Sequence, residues 1–258
     1  MVHVTCDCRC CDGIKELGNL GFGTRGKKHK ARDVGHELAP MPQSVSIITD
    51  FPYGCLRQDH KFGPRTVQTE RNLWDTPIDL ELFWNTIRRW KNINVVISTA
   101  KMPFTAQLIQ SNTIWFWHSL VWEKSKATGF LNAKKQPLRA HEDIVLFKKY
   151  KHATYNPQMT QGKPYYNSLN GLRYPRSVLY FKTAEAEEGK ALHPTQKPVA
   201  LMEYLIKTYT NEGDTVIDPC MGSGTTGVAC MNCGRNFIGF ERDEHFFEVA
   251  RSRLGVWL

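Results

Sequence analysis

The chain has 258 residues, 41% of them hydrophobic, enough for one large α/β domain with an inserted smaller lobe, or for two small domains, without disulfide or metal staples. Its 34 Lys and Arg stand against 25 Asp and Glu, and the net charge of +9 favours a polyanionic partner such as DNA or RNA. No apolar run reaches the length of a membrane span, and the opening MVHVTCDCRC is not a secretory signal, so no membrane association is expected, and a cytoplasmic protein with reduced thiols is.

Cys6, Cys8, Cys10 and Cys11 crowd the start. A zinc site needs a second ligand pair, and Cys230 and Cys233 fall where a helix is expected, so no metal is expected. Residues 18–43 read as a loop rich in Gly and Lys. Within it, Gly21 to Gly26 match G-x-G-x-x-G, and with Lys27 nearly match a phosphate loop, but no buried strand leads in and no amphipathic helix follows. A basic loop, in reach of phosphates at most, is the reading. Residues 44–50 (SVSIITD) read as a buried strand ending at an acid. Asp79 caps a helix running to Trp90, with Leu80, Phe83, Ile87 and Trp90 at helical spacing. Residues 93–99, 113–124 and 141–150 are further strands.

Residues 151–190 hold many Tyr, Asn, Gln, Lys and Pro, with only 176–182 strand-like; they read as an inserted lobe between residues 1–150 and 191–258. From Pro198 a helix carries Met202, Leu205, Ile206 and Tyr209 on one face. The strand DTVIDP, a Gly-rich turn, a helix from about Thr225, the strand NFIGFE and a last helix through Leu254 follow. Alternating strands and helices with buried strands predict an α/β fold with a doubly wound, mostly parallel sheet.

Two turns carry chemistry. Asp218 to Thr226 (DPCMGSGTT) follows a buried strand and opens a helix. Its glycines let backbone approach a ligand, the helix N-terminus offers N–H groups to a carboxylate, and Asp218 can bind an amine. Glu241, at the end of the next strand, can take both hydroxyls of a ribose. The second turn, Asp50-Phe51-Pro52-Tyr53-Gly54, puts an acid, a backbone carbonyl and an aromatic ring at a strand end. The first two can hold the hydrogens of an amino group, freeing its lone pair for attack on a methyl sulfonium, and the ring can stack.

Together these turns resemble the DNA amino-methyltransferases, which act on adenine N6 or cytosine N4. Asp50 to Tyr53 is similar to their D-P-P-Y motif, and Asp218 to Gly224 to their cofactor motif. His193-Pro194-Thr195-Gln196-Lys197-Pro198 is similar to the stretch lining the methionine end of the cofactor. Trp122-Glu123-Lys124, Phe130 to Ala133 and His141-Glu142 also look familiar from such enzymes. The order resembles the permuted class, in which the segment between the motifs recognises the target. The resemblance implies S-adenosylmethionine as cofactor and double-stranded DNA as partner, with the base flipped out. Asp50, Phe51, Pro52 and Tyr53 would be catalytic. Asp218, Pro219, Cys220, Gly222, Gly224, Thr225 and Glu241 would hold the cofactor, with His193, Thr195 and Lys197 closing over it. An acid at position 50 resembles adenine-directed members, since cytosine members more often have Ser. Phe51 for Pro, Cys220 for Phe, and Asp7 or Asp12 in place of an early Gly-Asp pair depart from the pattern.

Lys148, Lys149, Lys151, Lys163, Arg173 and Arg176, among Tyr155, Tyr165, Tyr166 and Tyr174, are the expected DNA contacts of the lobe. Arg57, Lys61 and Arg65 follow the catalytic turn, and Arg88, Arg89 and Lys91 end a helix. A homodimer and a cognate restriction nuclease are candidate partners in a restriction-modification setting, in a bacterial or virus-infected cell; orphan and mobile-element roles stay open. The alternatives are a cytosine N4 enzyme, a DNA-binding homologue with weakened turnover, an enzyme acting on RNA or a protein amide, and, more distantly, a nicotinamide dehydrogenase.

Overall fold

The computed structural model describes residues 2–5, 44–53, 77–163 and 171–256. The cysteine cluster, Asp7 and Asp12, the glycine-rich basic loop, Arg57, Lys61, Arg65, Tyr165 and Tyr166 lie outside the described residues. In chain order the elements are β1 (Val2–Thr5), β2 (Val45–Asp50), α1 (Leu80–Ile87), β3 (Ile93–Ala100), α2 (Phe104–Ser111), β4 (Phe116–Thr128) and β5 (Arg139–Lys148). There follow β6 (Thr160–Gln161), β7 (Leu172–Arg173), β8 (Val178–Phe181), α3 (Ala184–Glu188), α4 (Val199–Tyr209), β9 (Thr215–Asp218), α5 (Thr225–Asn232), β10 (Asn236–Phe240) and α6 (Glu244–Leu254).

Eight strands form one sheet in the order β1-β10-β9-β2-β3-β5-β4-β8. All its neighbours pair parallel except β3 with β5 and β5 with β4. The alternation of side chains along a strand sorts the core into two layers. Ile48, Val95, Ile97, Ile144 and Leu146 pack with α4, α5 and α6 on one face. Val45, Ile47, Val96, Val145 and Phe147 pack with α1 and α2 on the other. Central strands buried on both faces are what a doubly wound sheet requires.

Local chemistry sets the helix ends. The Asp79 carboxylate accepts from Leu82 N at 2.9 Å and opens α1, which buries Phe83, Trp84 and Ile87. Pro198 precedes α4 and has no capping side chain. The Glu187 carboxylate takes over, accepting from Val199 N at 2.6 Å and Ala200 N at 3.0 Å, an anion at the positive end of the helix.

Two boundaries differ from those expected, and one helix had no counterpart in the expected elements. Val2–Thr5 pairs with β10, so the first residues join the sheet beside strands of residues 191–258 and not beside the other strands of residues 1–150. Val178–Phe181 pairs with β4 as the eighth strand, leaving the β6–β7 ribbon as the separate sheet of the expected lobe. Helix α2 has no side-chain cap and a short sequence, FTAQLIQS, too brief to show a helical period.

The chain runs from β2 outward to β3, and from β9 outward to β10 on the opposite side. β2 and β9 are neighbours. Their carboxyl ends therefore form the switch point at which an open α/β sheet binds ligands. Asp50 ends one strand and Asp218 the other.

Candidate active site

The Asp50–Tyr53 turn is anchored from below. Phe51 is 1% exposed and meets Phe83 edge to face at 5.0 Å. Where the family pattern has a ring-locked Pro, this turn is fixed by core packing. Asp50 is reached by three donors: the Tyr53 and Thr99 hydroxyls on Oδ1, and the Lys197 ammonium on Oδ2. Thr99 sits beside Asp50 in the β2–β3 ladder. The Tyr53 ring lies 5.1 Å from Phe104, and Lys101 Nζ is 5.8 Å from its centroid. Burial, with Asp50 and Glu142 adding to it, pushes the Tyr53 phenol well up, so it stays protonated.

Behind Asp50 runs a chain of buried charges. Lys197 Nζ also lies 3.6 Å from Glu142 Oε2 and donates to Thr195 O at 3.1 Å. Glu142 Oε1 accepts from Lys124, and its Oε2 has no hydrogen-bond partner among the described residues. Burial opposes the charge of Glu142, but Lys197 and Lys124 prevail and hold its carboxyl below the usual range. Burial likewise opposes Lys197, and Asp50 and Glu142 outweigh it, raising its ammonium. Lys197 was expected over the cofactor; here its ammonium meets the Asp50 carboxylate. Glu142 and Lys124, noticed only as part of a familiar stretch, belong to the site because β4 and β5 pair Trp122 with Glu142.

The glycine turn sits across the switch point. Asp218 is 2% exposed and accepts from Thr49 Oγ1 at 2.6 Å, Thr226 Oγ1 at 2.6 Å and Cys220 N at 3.0 Å. Burial pushes its carboxyl up to about 6 despite those donors. Its geometry ties β2, the turn and α5 together. Gly222 and Gly224 have φ of 52° and 78°, the left-handed region that favours glycine. α5 begins at Gly224 with no side-chain cap. Glu241 Oε2 accepts from Gly222 N at 2.8 Å, and Oε1 from Asp243 N at 2.8 Å, placing that carboxylate against the turn. Pro219 is buried, and Cys220 packs against the core layer that includes Phe51.

His193 lies over the turn, with ring atoms 3.6 Å from where a Cβ on Gly222 would stand. Its Nδ1 lies 3.2 Å from Thr195 N, which donates to it, and 3.1 Å from Thr195 Oγ1, and Phe246 packs at 4.1 Å. Burial lowers its pKa to about 4, so near neutral pH it presents a neutral ring. Arg253 from α6 donates to Ser223 O at 2.9 Å and to Thr225 Oγ1 at 3.1 Å, bracing the start of α5.

The expected DNA contacts divide. β5 runs against β3, so Lys148 pairs with Val95 near the start of β3, while Asp50 pairs with Thr99 near its end. Lys148 lies over Trp117 at 4.2 Å, and Lys149 donates to Arg88 O and Trp90 O at 2.9 Å each. These two, with Lys151 just beyond, stand at the end of the sheet opposite the site. Arg88, Arg89 and Lys91, which lead into β3, are at that end too. Lys163, Arg173 and Arg176 are exposed on or beside the β6–β7 ribbon. Among the described residues no group of three or more His, Cys, Asp or Glu could hold a metal ion, and no helix is long and apolar enough to cross a membrane.

The family model of the N6/N4 methyltransferases, described as DNA methylase, matches residues 46–252. The chain belongs to this family. It is 28% identical over 214 residues to the type II methyltransferase M.HpaI of Haemophilus parainfluenzae, covering 81% of this chain and 67% of that protein. Two other curated relatives are matched over only 27% and 41% of their length. Among solved structures, the methylase fold superposes on the complex of M1.HpyAVI with S-adenosylmethionine at a TM-score of 0.65 and 25% identity, over 99% of this chain and 100% of that one. The cytosine-N4-specific PvuII DNA methyltransferase, at 16% identity and a TM-score of 0.53 over 82% and 80%, shares the fold.

Proposed function

We propose that this DNA methylase transfers a methyl group from S-adenosylmethionine to the N6 amine of adenine in double-stranded DNA, with the target base flipped out of the helix. The observation that carries the reading is the meeting of Asp50, Tyr53 and the Gly222–Gly224 turn at one switch point. The turn suits this cofactor: two glycines in the left-handed region, an uncapped helix start for a carboxylate, and a Glu241 carboxylate that accepts from the backbone N–H groups of Gly222 and Asp243. That leaves acceptor capacity for ribose hydroxyls. Bound there, the cofactor supplies a methyl group already activated on a sulfonium.

The chain's own residues do the rest. Asp50 accepts one hydrogen of the amine in place of one of its resting donors, and the Phe51 carbonyl accepts the other. Their pull localises the nitrogen lone pair toward the methyl group. Tyr53, held protonated, keeps its ring as a stacking face without adding a second negative charge. The nitrogen loses a proton on methylation, and Asp50 is the nearest base. Position and electrostatics supply most of the acceleration. The cytosine-N4 fold neighbour keeps that amine as the second reading, but the carboxylate at position 50 supports adenine.

Labelled S-adenosylmethionine and unmethylated duplex DNA test the assignment. The wild-type chain is expected to label the DNA, and Asp50→Ala to lose about 10²-fold or more of the rate. An Asp50→Ala variant that labels DNA at the wild-type rate would remove the carboxylate from the mechanism.

A further inference from the structure

The β4–β5 hairpin continues past the catalytic centre. Glu142 lies in the buried charge chain, and β5 begins three residues earlier at Arg139, paired with Thr128. At about 3.3 Å per residue the hairpin stands roughly 10 Å beyond Glu142 before it turns. The turn is ordered by backbone bonds: Gly129, at φ 92°, opens a 3-10 turn in which Asn132 N donates to Gly129 O at 2.9 Å and Ala133 N to Phe130 O at 3.0 Å. On this turn Phe130 is 80% and Leu131 98% exposed. An apolar pair so placed is not part of a core. Between Ser125 and Ala140 the chain carries Lys126, Lys134, Lys135 and Arg139 and no carboxylate, and all four cations are exposed.

We infer that this tip is a wedge for duplex DNA: Phe130 and Leu131 enter the base stack beside the target, and the surrounding cations hold the phosphates. This rests on the DNA-methylating reading above. The site needs such a device, because the Asp50 side chain is only 20% exposed at the end of β2 and can reach a base only after it leaves the duplex. Apolar side chains inserted between base steps occupy the gap and stabilise the open duplex. The cations supply affinity without sequence preference. A rigid tip rooted in the same two strands as Lys124 and Glu142 fixes the distance between the gap and the amine-holding residues.

The test compares the wild type with Phe130→Ala/Leu131→Ala, whose two sites are too exposed to threaten folding. Once the sequence methylated by the wild type has been located in bulk DNA, two duplex oligonucleotides carrying it are used. One has the target base normally paired, and the other has it opposite an abasic site. The variant is expected to lose between about tenfold and a hundredfold in kcat/KM on the paired duplex, and to return to within a few-fold of wild type on the abasic one. Equal rates of variant and wild type on the paired duplex would overturn the wedge. So would an equal loss on both substrates, which would make the tip a general DNA contact. A wild-type chain that methylates neither duplex, nor bulk DNA, would instead overturn the underlying assignment and the wedge with it.

Discussion

Lys197→Met removes the ammonium that joins Asp50 to the charge chain behind it. The chain Lys124–Glu142–Lys197–Asp50 is balanced, two positive and two negative. The side chains are 8%, 12%, 7% and 20% exposed, so none is wet enough for water to replace the lost partner. Met keeps the volume and leaves two carboxylates sharing one ammonium. Removing one partner of a buried pair costs about 3–5 kcal/mol, and that is the expected loss of unfolding free energy at pH 8. In the variant, the cheapest relief is a proton on Glu142, which loses the ammonium that most holds its carboxyl down. Its folded-state pKa is then expected to lie above the unfolded value of about 4. The folded state binds more protons than the unfolded one, so the deficit grows as pH rises from there and shrinks toward acid. Guanidinium unfolding at pH 5 and pH 8 reads both the size and the slope. Lys197→Met/Glu142→Gln restores the balance of charge and is expected to be more stable at pH 8 than the single variant. A loss under about 1 kcal/mol, the range of exposed pairs, and equal at the two pH values, would show that these charges are solvated and that Lys197 is not what holds Asp50.

Phe51→Pro, which restores the family's residue, is expected to lower stability by about 3 kcal/mol or more, because it empties the contact with Phe83; thermal unfolding with methyl transfer measured alongside checks this, and a gain in activity would contradict the anchoring role. Asp218 has a folded-state pKa of about 6, above the unfolded value, so it favours the fold at acid pH and loses that advantage as pH rises from about 4 through 6. Asp218→Asn is expected to flatten the slope, shifting the difference from wild type by roughly 2–3 kcal/mol across that window, read by denaturant unfolding. Glu241→Ala removes a charged acceptor, so KM for the cofactor is expected to rise between about tenfold and a hundredfold with a smaller change in kcat, seen in initial rates against cofactor concentration. At Gly227 a Cβ would come within 2.7 Å of Phe237 and 2.8 Å of Leu254; Gly227→Ala is expected to cost about 1–3 kcal/mol by overpacking α5, visible as a lowered Tm.

Much of this was legible in the sequence because burial imposes a period. Val45 to Ile48 and Val95 to Ile97 had to be strands covered on both faces, and Met202, Leu205, Ile206 and Tyr209 one face of a helix. The glycine turn was legible because its backbone demands are carried by residue type. What escaped depended on strand direction and on long-range contact. Lys148 and Lys149 looked like DNA contacts by charge, but β5 runs against its neighbours and delivers them to the far end of the sheet. Lys197 follows His193 closely, yet Pro198 starts α4 there and its ammonium meets an acid 147 residues away. Glu142 acquires a role only when the hairpin carries it beside that ammonium. α2 is a short helix without a capping side chain, and nothing local marks it.

In the proposed mechanism Asp50 holds an exocyclic adenine amine for methylation. Mass spectrometry of nucleosides from unmethylated DNA incubated with the protein and S-adenosylmethionine, beside the Asp50→Ala variant, tests this most directly. N6-methyladenine is expected from the wild type and none above background from the variant. N4-methylcytosine would contradict the base assignment while keeping the mechanism, and N6-methyladenine formed equally by the variant would contradict the mechanism itself.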